Sequence, residues 1–238
     1  MQVQTKAIVF SSIKYGDSSL IVRCYTKEFG IKSYLLRSIL KSKKGSLKPA
    51  YFQPLSQLDL VASHSKKASL HTIKEVRVAY AYEDVYLNYV KQSIVFFIAE
   101  MLYNSVREEE ANEDLYAYLE ISLKWLDLHD KVSNFHLIFL INLTRYLGFY
   151  PGEAKSDSSA FDLREGVFTN KAFVGPGLHH EDLKLFRSIL GIKFDESHNL
   201  SLSVQSRQRL LAIIVNYYEL HLTGFYEPKS IAVLKNLF

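Results

Sequence analysis

Over the first eighty residues, apolar side chains come in short runs broken by turn residues, which predicts strands rather than helices. Ala7–Ile13 is apolar and β-branched, and Tyr15-Gly16-Asp17 follows it as a turn. Ser19–Thr26 is a second such run. Lys27-Glu28-Phe29-Gly30 makes a second turn, with Gly30 able to take positive φ. Ile31–Ser38 then pairs back as in a hairpin, and a polar, basic connection runs from Lys41 to Pro49. Gln57–Ala62 alternates with the period of a half-buried strand, and Ser69–Val78 supplies a fifth. Five short strands point to a small barrel or sandwich, and the oligonucleotide-binding (OB) barrel is the commonest five-stranded candidate.

From about Asp84 the spacing changes. Val90, Ile94, Phe97, Ile98, Met101 and Leu102 recur three and four apart within 85–106, the period of an amphipathic helix. Arg107-Glu108-Glu109-Glu110 ends it in a polar turn. Asn112 caps a second predicted helix running to about Leu128, with Glu113 and Asp114 in the first turn, where the helix dipole favours carboxylates. Ser133 is placed as the cap of a third, Phe135–Leu147, stopped by Gly148 and Pro151. Residues 151–179 hold four of the ten glycines, and Phe161–Thr169 fits a hairpin turning at Glu165-Gly166. Further helices are predicted at Glu181–Leu190, Ser203–Leu222 and Pro228–Leu237. The expected fold class is α+β. A five-stranded OB β-barrel forms domain 1–80, and a mainly α-helical domain, 81–238, carries a short irregular or β-hairpin insertion at about 151–180.

Composition narrows the classes. Hydrophobic residues make up 48% of the chain, enough for a packed core and against disorder. Cys24 is the sole cysteine, which excludes a disulfide framework and a Cys-rich zinc site and suits a reducing cytoplasm. The amino-terminal residues lack a basic stretch leading into a long apolar run, so no secretory signal is read. The most apolar stretches fall far short of the ~20 residues a bilayer-spanning helix needs. The net charge of +4 hides a split. Residues 1–80 carry 14 Lys or Arg against four acids, a net +10, while the remainder carries 15 against 21, a net −6. A basic amino-terminal domain of this kind faces polyanions.

Candidate chemistry is sparse. The eight histidines are scattered or, at His179-His180, adjacent, so their spacing does not suit a metal site. The chain has no H-E-x-x-H, C-x-x-C, G-x-S-x-G or phosphate-binding glycine loop. No enzyme signature is found. The stronger signal is basic: Arg37, Lys41, Lys43, Lys44 and Lys48 fall within twelve residues with no acid between them. Flexible ammonium groups on a loop suit the sequence-independent track of phosphates. Tyr15, Tyr25, Tyr34, Tyr51 and Phe52 are interleaved with these bases, and an aromatic on a barrel face can stack a base. Arg23, Lys66 and Lys67 extend the set, giving Arg23, Arg37, Lys41, Lys43, Lys44, Lys48, Tyr51, Lys66 and Lys67 as expected DNA-binding residues. Each of these aromatics has an ordinary packing role as its rival reading.

Several stretches together resemble the RecO family of DNA repair proteins. In the amino-terminal part these are Ala7-Ile8-Val9, Tyr15-Gly16-Asp17-Ser18-Ser19-Leu20, Tyr25-Thr26-Lys27-Glu28-Phe29-Gly30 and Gln53-Pro54-Leu55. Leu143–Pro151 resembles that family's helix before its central insertion, and Leu222-Thr223-Gly224-Phe225 with Lys229-Ser230 fits its end. The matches run in order along essentially the whole chain. The resemblance implies an OB barrel followed by a helical domain in a non-catalytic recombination mediator without a cofactor. It implies binding of single- and double-stranded DNA, annealing of complementary strands, and action with RecR to load RecA onto DNA coated by single-strand-binding protein. It also implies a partner site for the acidic, hydrophobic-ended tail of single-strand-binding protein, whose pocket needs a basic edge; Arg145, Arg207 and Arg209 are the candidates. The expected location is cytoplasmic and nucleoid-associated.

One departure from the family pattern stands out. Many members carry four zinc-binding cysteines after the Gly-x-x-Pro segment, and residues 151–202 here contain none. The expectation is a hairpin across Phe161–Phe173 held by apolar packing, with no zinc. Two rival readings differ in class. One is an RNA-binding or general single-strand adaptor using the same barrel, since 2′-OH reading leaves no mark on a sequence. The other is an enzyme with an unrecognised site at His129, Asp130 and His136.

Overall fold

The computed structural model describes residues 1–41, 47–65, 69–107, 109–153 and 157–237. The chain divides into two compact units, Met1–Leu128 and His129–Phe238. The first is built on a closed barrel of five strands: β1 (Gln2–Tyr15), β2 (Ser19–Thr26), β3 (Gly30–Leu36), β4 (Gln57–Ser63) and β5 (Leu70–Tyr80). Their order around the barrel is β1-β2-β3-β5-β4. β1 is longer than the apolar run at its centre, because Val3 and Thr5 continue the inward alternation through an otherwise polar start. It pairs with β4 through its first half and with β2 through its second, and an irregularity between Val9 and Ser11 turns it from one partner to the other. Closure rests on a short parallel contact of β3 with β5, at Ser33↔Leu70 and Tyr34↔His71.

The barrel interior is filled by alternate residues: Val3, Ala7 and Val9, Leu20, Val22 and Cys24, Tyr34 and Leu36, Leu58, Leu60 and Ala62. Burying each of the Val and Leu side chains contributes about 1.5–3 kcal/mol. The β3–β4 connection closes one end. A short 3-10 turn, Pro49–Phe52, puts Phe52 into the core, and Leu55 takes a left-handed φ of 61° while its N–H donates to the Val9 carbonyl at 2.7 Å. The carbonyls of Pro54 and Leu55 accept from the hydroxyls of Tyr86 and Tyr82 at 2.9 and 2.8 Å. The Gln53-Pro54-Leu55 segment is thus a fixed plug rather than a free loop.

Two helices complete this unit. In α1 (Tyr89–Ser105) the Asn88 side chain caps the first turn, accepting from the N–H groups of Val90 and Lys91. In α2 (Glu113–Leu128) the Asn112 side chain accepts from Leu115 N–H at 2.9 Å, the cap expected from sequence. Near the end of α2, Asp127 accepts from the backbone N–H groups of Glu83, Asp84 and Val85 and from the Tyr80 hydroxyl. Lys91, almost fully buried, donates to the Asp127 carbonyl at 2.7 Å and pairs with Asp84 at 2.8 Å.

The second unit packs α3 (Phe135–Tyr146), α4 (His180–Ile189), α5 (Val204–His221) and α6 (Ile231–Leu237) with a small sheet of β6 (Ala160–Asp162), β7 (Val167–Thr169) and β8 (Gly177–His179). Ser133 is not the cap of α3. Asn134 stands at that position, and its side chain is occupied elsewhere, donating to the Leu200 carbonyl and accepting from Arg207. β8 is a strand that the sequence pattern did not announce. β6 pairs with β7 on one side and β8 on the other, in place of a lone hairpin. Phe161 is fully buried against Phe168, Phe186 and Tyr217, with ring centroids 4.7–5.9 Å away. The packing of this insertion is aromatic, as expected where the zinc-binding cysteines are missing.

Candidate nucleic-acid interface

The basic residues after β3 are placed by the hairpin beside them. Ser38, in a left-handed conformation, donates its N–H to the Ser19 hydroxyl; Leu40 N–H donates to the Ser18 carbonyl at 2.9 Å. The chain leaving β3 therefore lies against the β1–β2 turn. Arg37 and Lys41 are exposed on either side of these two contacts, and Lys14 and Tyr15 are exposed at the end of β1. Lys48 is exposed at the start of the 3-10 turn. Lys43, Lys44, Lys66 and Lys67 lie outside the described residues.

Two of the expected DNA-binding residues have other work in the fold. Tyr51 is partly buried and packs on the barrel core. Arg23 is clamped: its guanidinium lies 4.6 Å from the centre of the Tyr103 ring and donates to the Val106 carbonyl at 3.2 Å. Tyr25, another interleaved aromatic, is fully buried between Phe10 and Tyr116, and its hydroxyl donates to the Asn112 carbonyl. Exposed acids, Glu109, Glu110, Glu113 and Asp114, mark the α1–α2 connection that crosses this part of the barrel.

At the other mouth of the barrel, the tilted rings of His64 and His71 lie 4.6 Å apart beside Lys32 and the amino terminus, around a cleft of about 390 Å³. The Tyr34 hydroxyl lies 3.1 Å from His64 Nε2. Burial, then the His71, Lys32 and terminal charges, push the His64 pKa down to about 4, and burial lowers that of His71. Both rings are neutral at pH 7 and add no charge to a phosphate track. No sequence motif joins the pair; the antiparallel β4–β5 pairing, which aligns Ser63 with Thr72, sets His64 opposite His71, and the β3–β5 contact adds Tyr34.

In the second unit, Arg145 is exposed and stacks 3.5 Å over the Tyr150 ring. Arg207 donates to the Asn134 side chain and the Leu202 carbonyl, and Arg209 pairs with Asp182 at 2.8 Å. Of the three residues weighed as a catalytic site, His136 is fully buried, with its pKa pushed down to about 3 by burial and by Arg207, whereas His129 and Asp130 are exposed. Among the described residues no three of His, Cys, Asp and Glu gather as a metal site, and no helix is long and apolar enough to cross a membrane.

A closed five-stranded barrel with a basic exposed tip, followed by a helical region, defines an OB-type protein with a helical extension. Residues 1–82 match the family model described as Recombination protein O N terminal, and residues 86–230 match Recombination protein O C terminal. The chain is 45% identical to the DNA repair protein RecO of Flavobacterium psychrophilum and 44% identical to that of Flavobacterium johnsoniae. It is 42% identical to that of Christiangramia forsetii, and all three alignments cover the full length of both proteins. The chain belongs to the RecO family of DNA repair proteins.

Proposed function

We propose that this protein is a non-catalytic recombination mediator that grips DNA through phosphates at the basic end of its barrel. The observation that carries the reading is the cluster of exposed cations, Arg37 and Lys41 beside the β1–β2 turn and Lys48 beyond it, in residues 1–80 with their net charge of +10. Among the described residues no helix of the barrel unit has the setting of a major-groove reader, so binding is indifferent to sequence. Lysine charges that neutralise two strands at once lower their mutual repulsion and favour annealing. With RecR, the bound protein loads RecA onto DNA coated by single-strand-binding protein. The helical unit receives that protein's acidic tail; Arg145, Arg207 and Arg209 edge the proposed site, and Arg145 and Arg209 are exposed. The setting is the cytoplasm, at the nucleoid.

The test is fluorescence anisotropy of a labelled single-stranded oligonucleotide over a salt series, comparing wild type with Lys41/Lys43/Lys44→Ala. Removing one lysine that neutralises a phosphate makes the slope of log K against log salt shallower by roughly 0.7 for a single strand. The variant is expected to bind more weakly, with a slope shallower by up to about 2. Equal slopes would exclude these lysines from the phosphate track. A wild type that fails to bind at low salt would end the reading.

A further inference from the structure

The outer surface of β1, β2 and β3 is divided in two. At one end the register aligns Ile8 with Tyr25 and Tyr25 with Ile31, and all three are buried on the outside of the barrel, Ile8 and Tyr25 completely. The cover is the α1–α2 connection and the start of α2. Tyr116 stacks on Tyr25, Asn112 receives its hydroxyl, and Lys32 donates to the Glu109 carbonyl. A side chain at Gly30 would run into the backbone of Glu109 and Glu110. In five-stranded barrels of this class the strand 2–3 face is where oligonucleotides lie. Here its lower half is closed by the chain itself.

The upper half is open, and its composition is unusual for a solvated sheet face. The outward row Ile13–Ile21–Leu35 crosses three strands in register, with Tyr15, paired with Ser19, one step further along β1. Ile13 is 55% exposed and Tyr15 56%, and Ile21 and Leu35 are half-buried. Antiparallel sheets turn polar residues to water on the face away from the core. Three aliphatic residues and a tyrosine in one exposed patch call instead for a ligand with apolar faces. The rim specifies its charge. Arg37 and Lys41 are exposed beside the patch, and Asp17 is the only acid in residues 11–25 and 31–41. Arg23, clamped over Tyr103, marks the border with the closed half. A flat apolar floor with a cationic rim is complementary to unpaired bases carried on a phosphate backbone.

We infer that the open half-face of β1–β3 is a base-stacking floor for single-stranded nucleic acid. Tyr15 stacks a base, Ile13, Ile21 and Leu35 line the floor, and Arg37 and Lys41 hold the flanking phosphates. The inference rests on the reading that the barrel binds DNA, and it names the surface that tells single from double strands. Bases inside a duplex are stacked on one another and cannot reach this floor, whereas Arg37 and Lys41 meet duplex phosphates equally well.

The experiment measures affinity of the full chain for a labelled oligo-dT and for a duplex of equal length at one salt concentration. Wild type is compared with Tyr15→Ala, Ile13→Ser, Arg37→Ala and, as a control on an exposed apolar residue of α2, Ile121→Ser. Thermal unfolding of each variant accompanies the titrations. Tyr15→Ala is expected to weaken oligo-dT binding roughly 5- to 150-fold, the equivalent of one missing stack, and to leave duplex binding within about twofold. Ile13→Ser should do the same more mildly. Arg37→Ala should weaken both DNAs, and Ile121→Ser neither. If wild type binds and Tyr15→Ala, folded as wild type, leaves oligo-dT affinity unchanged or loses both DNAs equally, the stacking floor is overturned while the barrel reading stands. The apolar patch would then be a protein-docking surface. If wild type binds neither DNA, both fall.

Discussion

A single carboxylate, that of Asp127, fixes the path of the chain as it leaves the barrel. It accepts from three successive backbone N–H groups, 2.9–3.0 Å away at Glu83, Asp84 and Val85, and from the Tyr80 hydroxyl. Burial opposes its ionisation, but these four donors prevail and hold its pKa below the usual carboxylate range. Asp127→Asn keeps the size and replaces an acceptor-only group by one that turns two N–H donors toward other donors. The expected cost is about 2–3 kcal/mol, read from chemical denaturation at pH 7. Because the folded pKa is depressed, this stabilisation is present above the unfolded value near 3.9 and is lost as pH falls through the folded one. The gap between wild type and variant should therefore hold from pH 7 to about 5 and close below about 4. A gap independent of pH down to 2 would mean that the charge is not what matters. None of this is legible in the sequence. Asp127 looks like any acid on a helix, and its partners lie 42–47 residues earlier in the chain.

At the scale of elements, what the sequence showed was periodicity, and what it missed was partnership. All five barrel strands and the long helices could be read from periods of two and of 3.6, since those faces are buried and carry a strong pattern. The start of β1 at Gln2 was missed because its inward residues, Val3 and Thr5, alternate with Gln and Lys. β8 is three residues long, too short for any period, and exists only because β6 offers it an edge. The same small sheet carries a prediction. Phe161 forms its core with Phe168, Phe186 and Tyr217, and the Tyr217 hydroxyl donates to the Phe149 carbonyl at 2.8 Å. Aromatic burial then holds together an insertion that contains no cysteine. Phe161→Ala should cost about 3–5 kcal/mol and strip hydrogen-exchange protection from the amides of β6 and β8. Metal analysis of the purified wild type should find no stoichiometric zinc, and a chelator should leave its thermal unfolding unchanged. One zinc per chain, or a chelator-induced drop in Tm, would reverse this account.

At the scale of the whole molecule, the change of period near Asp84 and the reversal of charge divide the chain into a barrel and a helical part. Yet the compact unit that contains the barrel runs on to Leu128. The physical reason is that this barrel has apolar groups on its outside as well as its inside. Ile8, Phe10 and Tyr25 are 0–2% exposed, with α1 packed against β1 and Tyr116 of α2 stacked on Tyr25. A strand buried on both faces reads as a continuous apolar run, as Ala7–Phe10 does, and the sequence alone does not say what covers its second face. The basic tip could be seen because charge is a property of composition, whereas the apolar row beside it needs the register of three strands to come together. The dependence on α1 and α2 can be measured with two fragments, 1–82 and 1–128. The shorter one exposes Ile8, Phe10 and Tyr25 and loses Asp127. At about 1.5–3 kcal/mol for each large side chain, uncovering three costs roughly 5–9 kcal/mol, against a typical domain stability of about 5–15. The 1–128 fragment is expected to melt cooperatively, with dispersed amide resonances, and to retain oligonucleotide binding. The 1–82 fragment is expected to lack a cooperative transition or to aggregate through its bared outer face. A 1–82 fragment as stable as the longer one would show that the barrel stands alone and that α1 and α2 only rest upon it.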